Sequence, residues 1–218
     1  MGRILSLRNN SREVRKQVAQ VLLDECVVCL PSDTCYGLTA LATSESATLR
    51  LKRLKWRDED KPFILLIPST DDAKNYVVEW SAKADLLARC FWPGPLTMVL
   101  DFKRKTKPRV HHSNPGIALR LPDDEFLTSL MVDLSSPVWS TSANSPGGEA
   151  PAGIDNIPSE ILRAVDLVID GGPLPSPAPS TIIRLSGEEV VIVRRGPVKR
   201  EDIMAKTGVN VRDSTFDS

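Results

Sequence analysis

Short apolar runs, each cut off by proline, glycine or charge, alternate along this chain with segments of helical period. That alternation restricts the fold more than any single motif does. Val27 to Leu30 is stopped by Pro31, and Phe63 to Ile67 lies between Pro62 and Pro68. Proline lacks the N–H that a strand ladder needs, so these prolines mark strand ends. Leu96 to Phe102, Gly116 to Leu121, Val138 to Ser140, Leu167 to Ile169, Thr181 to Leu185 and Val190 to Arg194 are further runs of strand length. Between them, Arg12 to Asp24 places Val14, Val18, Val21 and Leu22 at helical spacing, and Ser44 to Leu54 does the same with Ala47, Leu51 and Leu54. Asp71 to Val78, Ser81 to Cys90, Glu125 to Leu134 and Ile161 to Ala164 also read as helical. Strands and helices alternate early, and strands pair late across the hairpin-like Ser186-Gly187-Glu188-Glu189. The pattern predicts an α/β domain, a mixed sheet with flanking helices, over residues 1–205. Residues 206–218 are expected to form a polar, loosely held tail.

Lys plus Arg and Asp plus Glu each number 28 in the 218 residues. This balance argues against bulk electrostatic attraction to nucleic acid or a membrane surface, while leaving room for a local basic pocket. No apolar stretch reaches the roughly 18 residues of a membrane span. The first ten residues carry Arg3 and Arg8 and no long apolar core, so no signal peptide is expected and a reducing cytoplasm is the default compartment. Cys26 and Cys29 share a metal-like spacing, but in a strand residues three apart face opposite sides, so buried, reduced thiols are expected.

Three polar clusters end apolar runs, where α/β proteins present ligand-binding groups. Pro31-Ser32-Asp33-Thr34-Cys35-Tyr36-Gly37-Leu38 and Ser140-Thr141-Ser142-Ala143-Asn144 offer short hydroxyls and an amide. Lys55-Trp56-Arg57-Asp58-Glu59-Asp60-Lys61-Pro62 offers three cations suited to phosphates, with three carboxylates able to balance them in a solvated turn. Arg120, Arg194 and Arg195 end apolar runs, and each needs either a protein carboxylate or an anionic substrate. No Gly-rich Walker loop is present. The two histidines, His111 and His112, come without a paired nucleophile or a zinc-ligand spacing, so neither a catalytic triad nor a protein-held metal is expected. The loop Gly171 to Ser180, with four prolines, reads as a stiff wall or lid.

Read together, these segments resemble the YrdC-like family, which includes the threonylcarbamoyl-AMP synthases. The resemblance rests on the first cluster, Lys55-x-Arg57 with Lys61, Trp92-Pro93-Gly94-Pro95-Leu96-Thr97, Ala118-Leu119-Arg120-Leu121-Pro122, Ser140 to Asn144, Ser180-Thr181-Ile182 and Arg194-x-Gly196, in that order over residues 12–200. It implies a twisted mixed sheet with a large concave cavity. It also implies a nucleotidyltransferase that combines L-threonine, bicarbonate and ATP into threonylcarbamoyl-AMP, releasing pyrophosphate. The product would pass to a transfer enzyme that modifies tRNA, with weak RNA binding a further expectation. By position, Thr34, Arg120, Ser142 and Ser180 would hold threonine. Lys55, Arg57, Lys61, Ser140, Asn144 and Arg194 would hold ATP, with Lys55 and Arg57 catalytic and Mg2+ bridging the phosphates. Longer members place a histidine in the strand after the Lys–Arg turn; here that strand is Phe63-Ile64-Leu65-Leu66-Ile67, without one. The alternative is a paralogue that binds nucleotide or RNA in the same cavity without making the adenylate.

Overall fold

A computed structural model describes residues 3–7, 11–55, 63–103 and 116–214. In chain order its elements are β1 (Arg3–Ser6), α1 (Ser11–Leu23), β2 (Val28–Leu30), β3 (Gly37–Leu41), α2 (Glu45–Leu54), β4 (Ile64–Leu66), α3 (Thr70–Lys74), α4 (Ala82–Phe91), β5 (Leu96–Asp101) and β6 (Gly116–Arg120). There follow α5 (Glu125–Leu134), β7 (Val138–Ser142), a 3-10 turn (Ile154–Asn156), α6 (Ser159–Ala164), β8 (Leu167–Asp170), β9 (Thr181–Ser186), β10 (Glu189–Arg194), α7 (Arg200–Thr207) and β11 (Arg212–Asp213). The strands form one sheet in the order β1-β8-β2-β3-β7-β4-β6-β5-β9-β10-β11. Five of its pairings are parallel and five antiparallel. The expected mixed sheet is therefore present.

Strand side chains alternate between two cores, as a period of two requires. In β2, Val28 and Leu30 join the apolar cluster beneath α1 and α5, while Cys29 joins the larger one. Val138 and Trp139 of β7 divide in the same way, as do Leu66 and Leu65 of β4. On the first face, Val14, Val18 and Leu22 of α1 meet Leu127, Leu130 and Leu134 of α5. An Arg15–Asp133 ion pair of 2.7 Å ties the two helices at their rim. On the second face, α2, α4, α6 and α7 insert Leu51, Leu87, Ile161 and Ile203. Serine or aspartate side chains cap α2, α3, α4 and α5, with Ser44, Ser69, Ser81 and Asp124 accepting from backbone N–H groups of the first turn.

Three expectations are corrected. The helix placed over Asp71 to Val78 ends at Lys74, because Val77 forms an antiparallel bridge with Phe102 instead. The tail from 206 is not loose in its described part: Val211 is fully buried and β11 runs parallel to β10. Of the four free thiols only Cys29 and Cys35 are buried, Cys26 and Cys90 being half-buried.

Burial, and to a smaller degree the neighbouring Cys35, pushes the Cys29 thiol up to about 12. The unfolded chain loses that proton near the ordinary value of 9.0 while the native one keeps it. The native state then binds more protons, so stability falls as pH rises between about 9 and 12. Cys29→Ala is expected to flatten this fall, measured by urea unfolding at a series of alkaline pH values. An unchanged slope would refute it.

Candidate functional site

The sheet face under α1 and α5 carries the polar residues where its apolar cluster gives out. Beyond Val138, residues Ser140 and Ser142 of β7 continue the same face. Gly37 of β3 lies opposite Ser142, Ile64 of β4 opposite Ser140, and Arg120 of β6 opposite Leu66. With Thr34, Ser180 and Arg194 they line a cavity of about 90 Å³. Gly37 favours this close packing, since a Cβ there would stand 3.1 Å from the Thr141 carbonyl oxygen and 3.2 Å from Ser140 Oγ.

Arg120 is 4% exposed and engages three of its five N–H donors at one edge. Its Nε donates to the Gly94 carbonyl at 3.0 Å, Nη1 to Thr34 Oγ1 at 2.8 Å, and Nη2 to Asp33 Oδ2 at 2.5 Å. The partner that its place at a strand end demanded is thus Asp33, which also accepts from the Asp123 backbone N–H at 3.2 Å. Ser32 Oγ shares a 3.0 Å hydrogen bond with Thr34 Oγ1 and donates to the Cys35 carbonyl at 2.9 Å, closing the turn that presents Thr34.

Arg194 stands across the cavity. Its Nε and Nη2 donate to the Ser180 carbonyl at 3.1 and 2.8 Å, and Nη2 also reaches Ser180 Oγ at 3.1 Å. Ser180 in turn shares a 2.7 Å hydrogen bond with the buried Thr97 hydroxyl. Among the described residues no carboxylate pairs with Arg194. Burial, and to a smaller extent the like charge of Arg120, holds its guanidinium below the usual arginine value. The wall bearing Ser180 presses on Gly196, where a Cβ would lie 2.5 Å from both the Pro179 carbonyl oxygen and the Thr181 nitrogen. Gly196→Ala is expected to destabilise the fold by about 1–3 kcal/mol and to displace Ser180. Thermal unfolding of the variant tests this; an unaltered melting temperature would show that the wall can yield.

The proline-rich loop is a wall rather than a free flap. Tyr36 Oη accepts from the Gly171 N–H at 3.0 Å and donates to the Gly172 carbonyl at 2.7 Å. Leu174 N–H bonds the Ala152 carbonyl at 2.7 Å, and Ala178 N–H bonds the Thr34 carbonyl at 2.9 Å.

Lys55 is 6% exposed, and its Nζ donates to the Ser142 carbonyl at 2.9 Å, to Asn144 Oδ1 at 3.0 Å and to the Asn144 carbonyl. Ser142 Oγ donates to the same Oδ1 at 2.6 Å. This lysine, expected on phosphates, is here a clasp on the Ser142–Asn144 segment. Beyond that segment Asn144, Ser145, Gly148 and Pro177 border a second cavity of about 430 Å³. Arg57, Lys61, His111 and His112 lie outside the described residues.

Among the described residues no three His, Cys, Asp or Glu side chains stand close enough to hold a metal ion. The cavity's own carboxylate neighbour, Asp33, is committed to Arg120. These donors do not fit a metal held by the protein alone. No helix among the described residues is long and apolar enough to cross a membrane.

The structure therefore gathers Thr34, Arg120, Ser140, Ser142, Ser180 and Arg194 at one cavity, and sets Lys55 and Asn144 together at its edge. Sequence reasoning missed Asp33, although a lone carboxylate in a hydroxyl-rich turn, with Arg120 lacking a partner, was the available signal.

A mixed α/β sheet that brings a buried arginine, a half-buried one and several hydroxyls into one cavity defines a protein built to bind a small anionic molecule. The comparisons give this class its family. The model described as telomere recombination, for the Sua5, YciO and YrdC proteins, matches residues 20–196, and the chain belongs to that family. The threonylcarbamoyl-AMP synthase of Pyrococcus abyssi is 32% identical over 202 residues, which are 92% of this chain and 59% of that protein. The chain thus spans somewhat more than half of that relative. A relative from Methanocaldococcus jannaschii is 30% identical over 90% of this chain and 94% of its own length. The crystal structure of P. abyssi Sua5 complexed with L-threonine superposes with a TM-score of 0.87 at 28% identity, covering 97% of this chain and 62% of that one.

Proposed function

We propose that this protein is a nucleotidyltransferase that makes L-threonylcarbamoyladenylate from L-threonine, bicarbonate and ATP, releasing pyrophosphate, for threonylcarbamoyladenosine modification of tRNA. The observation that carries this reading is Arg194, a half-buried cation with no carboxylate partner among the described residues, facing a cavity it shares with Arg120. A cavity that holds uncompensated positive charge is suited to an anionic substrate. The names of the relatives supply the substrate class.

On this reading Thr34, Arg120, Ser142 and Ser180 hold threonine in the smaller cavity, Arg120 offering its remaining N–H donors to the carboxylate. Arg194, Ser140 and Asn144 face the nucleotide, joined by Arg57 and Lys61, and Lys55 keeps Asn144 in place. The threonine amine adds to the bicarbonate carbon and water leaves, giving the carbamate. A carbamate oxygen then attacks the α-phosphorus as the bond from that phosphorus to the bridging oxygen breaks, and pyrophosphate departs. Guanidinium groups at the cavity stabilise the charge that develops during this displacement, and no protein nucleophile is required. Magnesium would arrive with the triphosphate and neutralise part of its charge. The labile carbamate would gain from any closure that keeps water from it. Cytoplasmic location and hand-over to a transfer enzyme acting on tRNA complete the reading.

Pyrophosphate release from ATP, with threonine and bicarbonate omitted in turn, tests it. Release that needs both supports the synthase. ATP binding without release would move the chain to the nucleotide- or RNA-binding alternative.

A further inference from the structure

Arg194 reaches the cavity because the ladder between β9 and β10 slips by one residue. From Glu189 opposite Ser186 to Ile192 opposite Ile183 the pairing is regular, and Val190 and Ile192 pack into the larger core. Continued without interruption, this ladder would set Arg194 opposite Thr181 on that core side and turn Arg195 to the cavity side. Instead Arg194 stands opposite Ile182, which lines the cavity, and Val193 is the extra residue, 49% exposed. A bulge of this kind re-aims a side chain, and here it exchanges the faces of two consecutive arginines.

The end of β11 spans that bulge. Before it, Ser214 N–H bonds the Ile192 carbonyl at 3.0 Å, and Ile192 pairs with Asp213. After it, Asp213 Oδ1 accepts from Arg195 at 3.3 Å, which keeps Arg195 on the outer surface. Asp213 Oδ2 also lies 3.8 Å from Arg200 Nη1 of α7.

We infer that the end of β11, through Asp213 and Ser214, fixes the Val193 bulge and so selects Arg194 over Arg195 as the cavity's cation. Asp213 is then a positioning residue for the nucleotide, an inference that rests on reading the cavity as an ATP site. Calorimetric titration with Mg-ATP tests it in a double-mutant cycle. Asp213→Asn with Ser214→Pro is expected to weaken ATP binding about tenfold and to lower kcat, by no more than the loss that follows removal of Arg194 itself. Asp213→Glu is expected to retain most of the affinity. In an Arg194→Met background the same pair of changes is expected to make no further difference. An equal loss in both backgrounds, or no loss in either, overturns the inference. ATP bound by the unaltered chain without pyrophosphate release would sink the synthase reading while the cycle still decides the positioning role; no ATP binding at all sinks both.

Discussion

Arg120→Met is expected to lower the melting temperature by about 10 °C and to abolish measurable turnover. Arg120 and Asp33 form a pair whose side chains are 5% and 12% exposed. Removing the guanidinium leaves the carboxylate enclosed with the Asp123 N–H as its remaining hydrogen-bond donor, and leaves the Gly94 carbonyl without its donor. Breaking a buried pair from one side costs about 3–5 kcal/mol, most of it the stranded charge. The companion change Asp33→Asn in the same chain should recover much of the stability and none of the turnover. Thermal unfolding of the single and double variants decides the matter: a single variant as stable as the unaltered protein would mean that Asp33 is solvated some other way.

Arg194→Met should separate the two effects. Turnover is expected to fall about 100- to 1,000-fold, the loss typical of one donor at a developing charge. The melting temperature should stay within a few degrees, because removing an unpaired, desolvated charge offsets the lost hydrogen bonds to Ser180. Pyrophosphate release and thermal unfolding on one preparation give both readouts. A variant that loses both activity and stability would make Arg194 a structural brace.

Much of this fold was legible because most strands carry enough apolar side chains to announce themselves. Val27 to Leu30 and Val190 to Arg194 needed no tertiary information to be read as strands. The strand β3 was missed because its small residues, Gly37 and Ala40 among them, read as a turn until both faces are known to be buried. The edge strand β1 is half polar and only four residues long. The helix α7 buries Ile203 alone, so no apolar stripe marks it. At the site, the arginines at strand ends and the hydroxyl clusters were visible as types. Which arginine faces the cavity was not, since a one-residue bulge leaves no trace in hydrophobic pattern. The clasp formed by Lys55 was equally hidden: its acceptors lie 87 and 89 residues away.

The strand order also bears on the order in which strands can pair while the chain is being made. The segment from β2 to β7 contains β3, β4, β6 and β5 and can pair up as residues 28–142 emerge. Both flanks of that sheet must wait, because β1 and β2 pair with β8, and β5 with β9. Such long-range pairings are slow to form and leave edges open to wrong partners meanwhile. Ser180 and Arg194 arrive in this last stage. A ribosome-bound chain of about 150 residues would therefore carry Arg120 and its hydroxyl turn before the opposite wall exists, and the cavity closes only once β9 and β10 have been made.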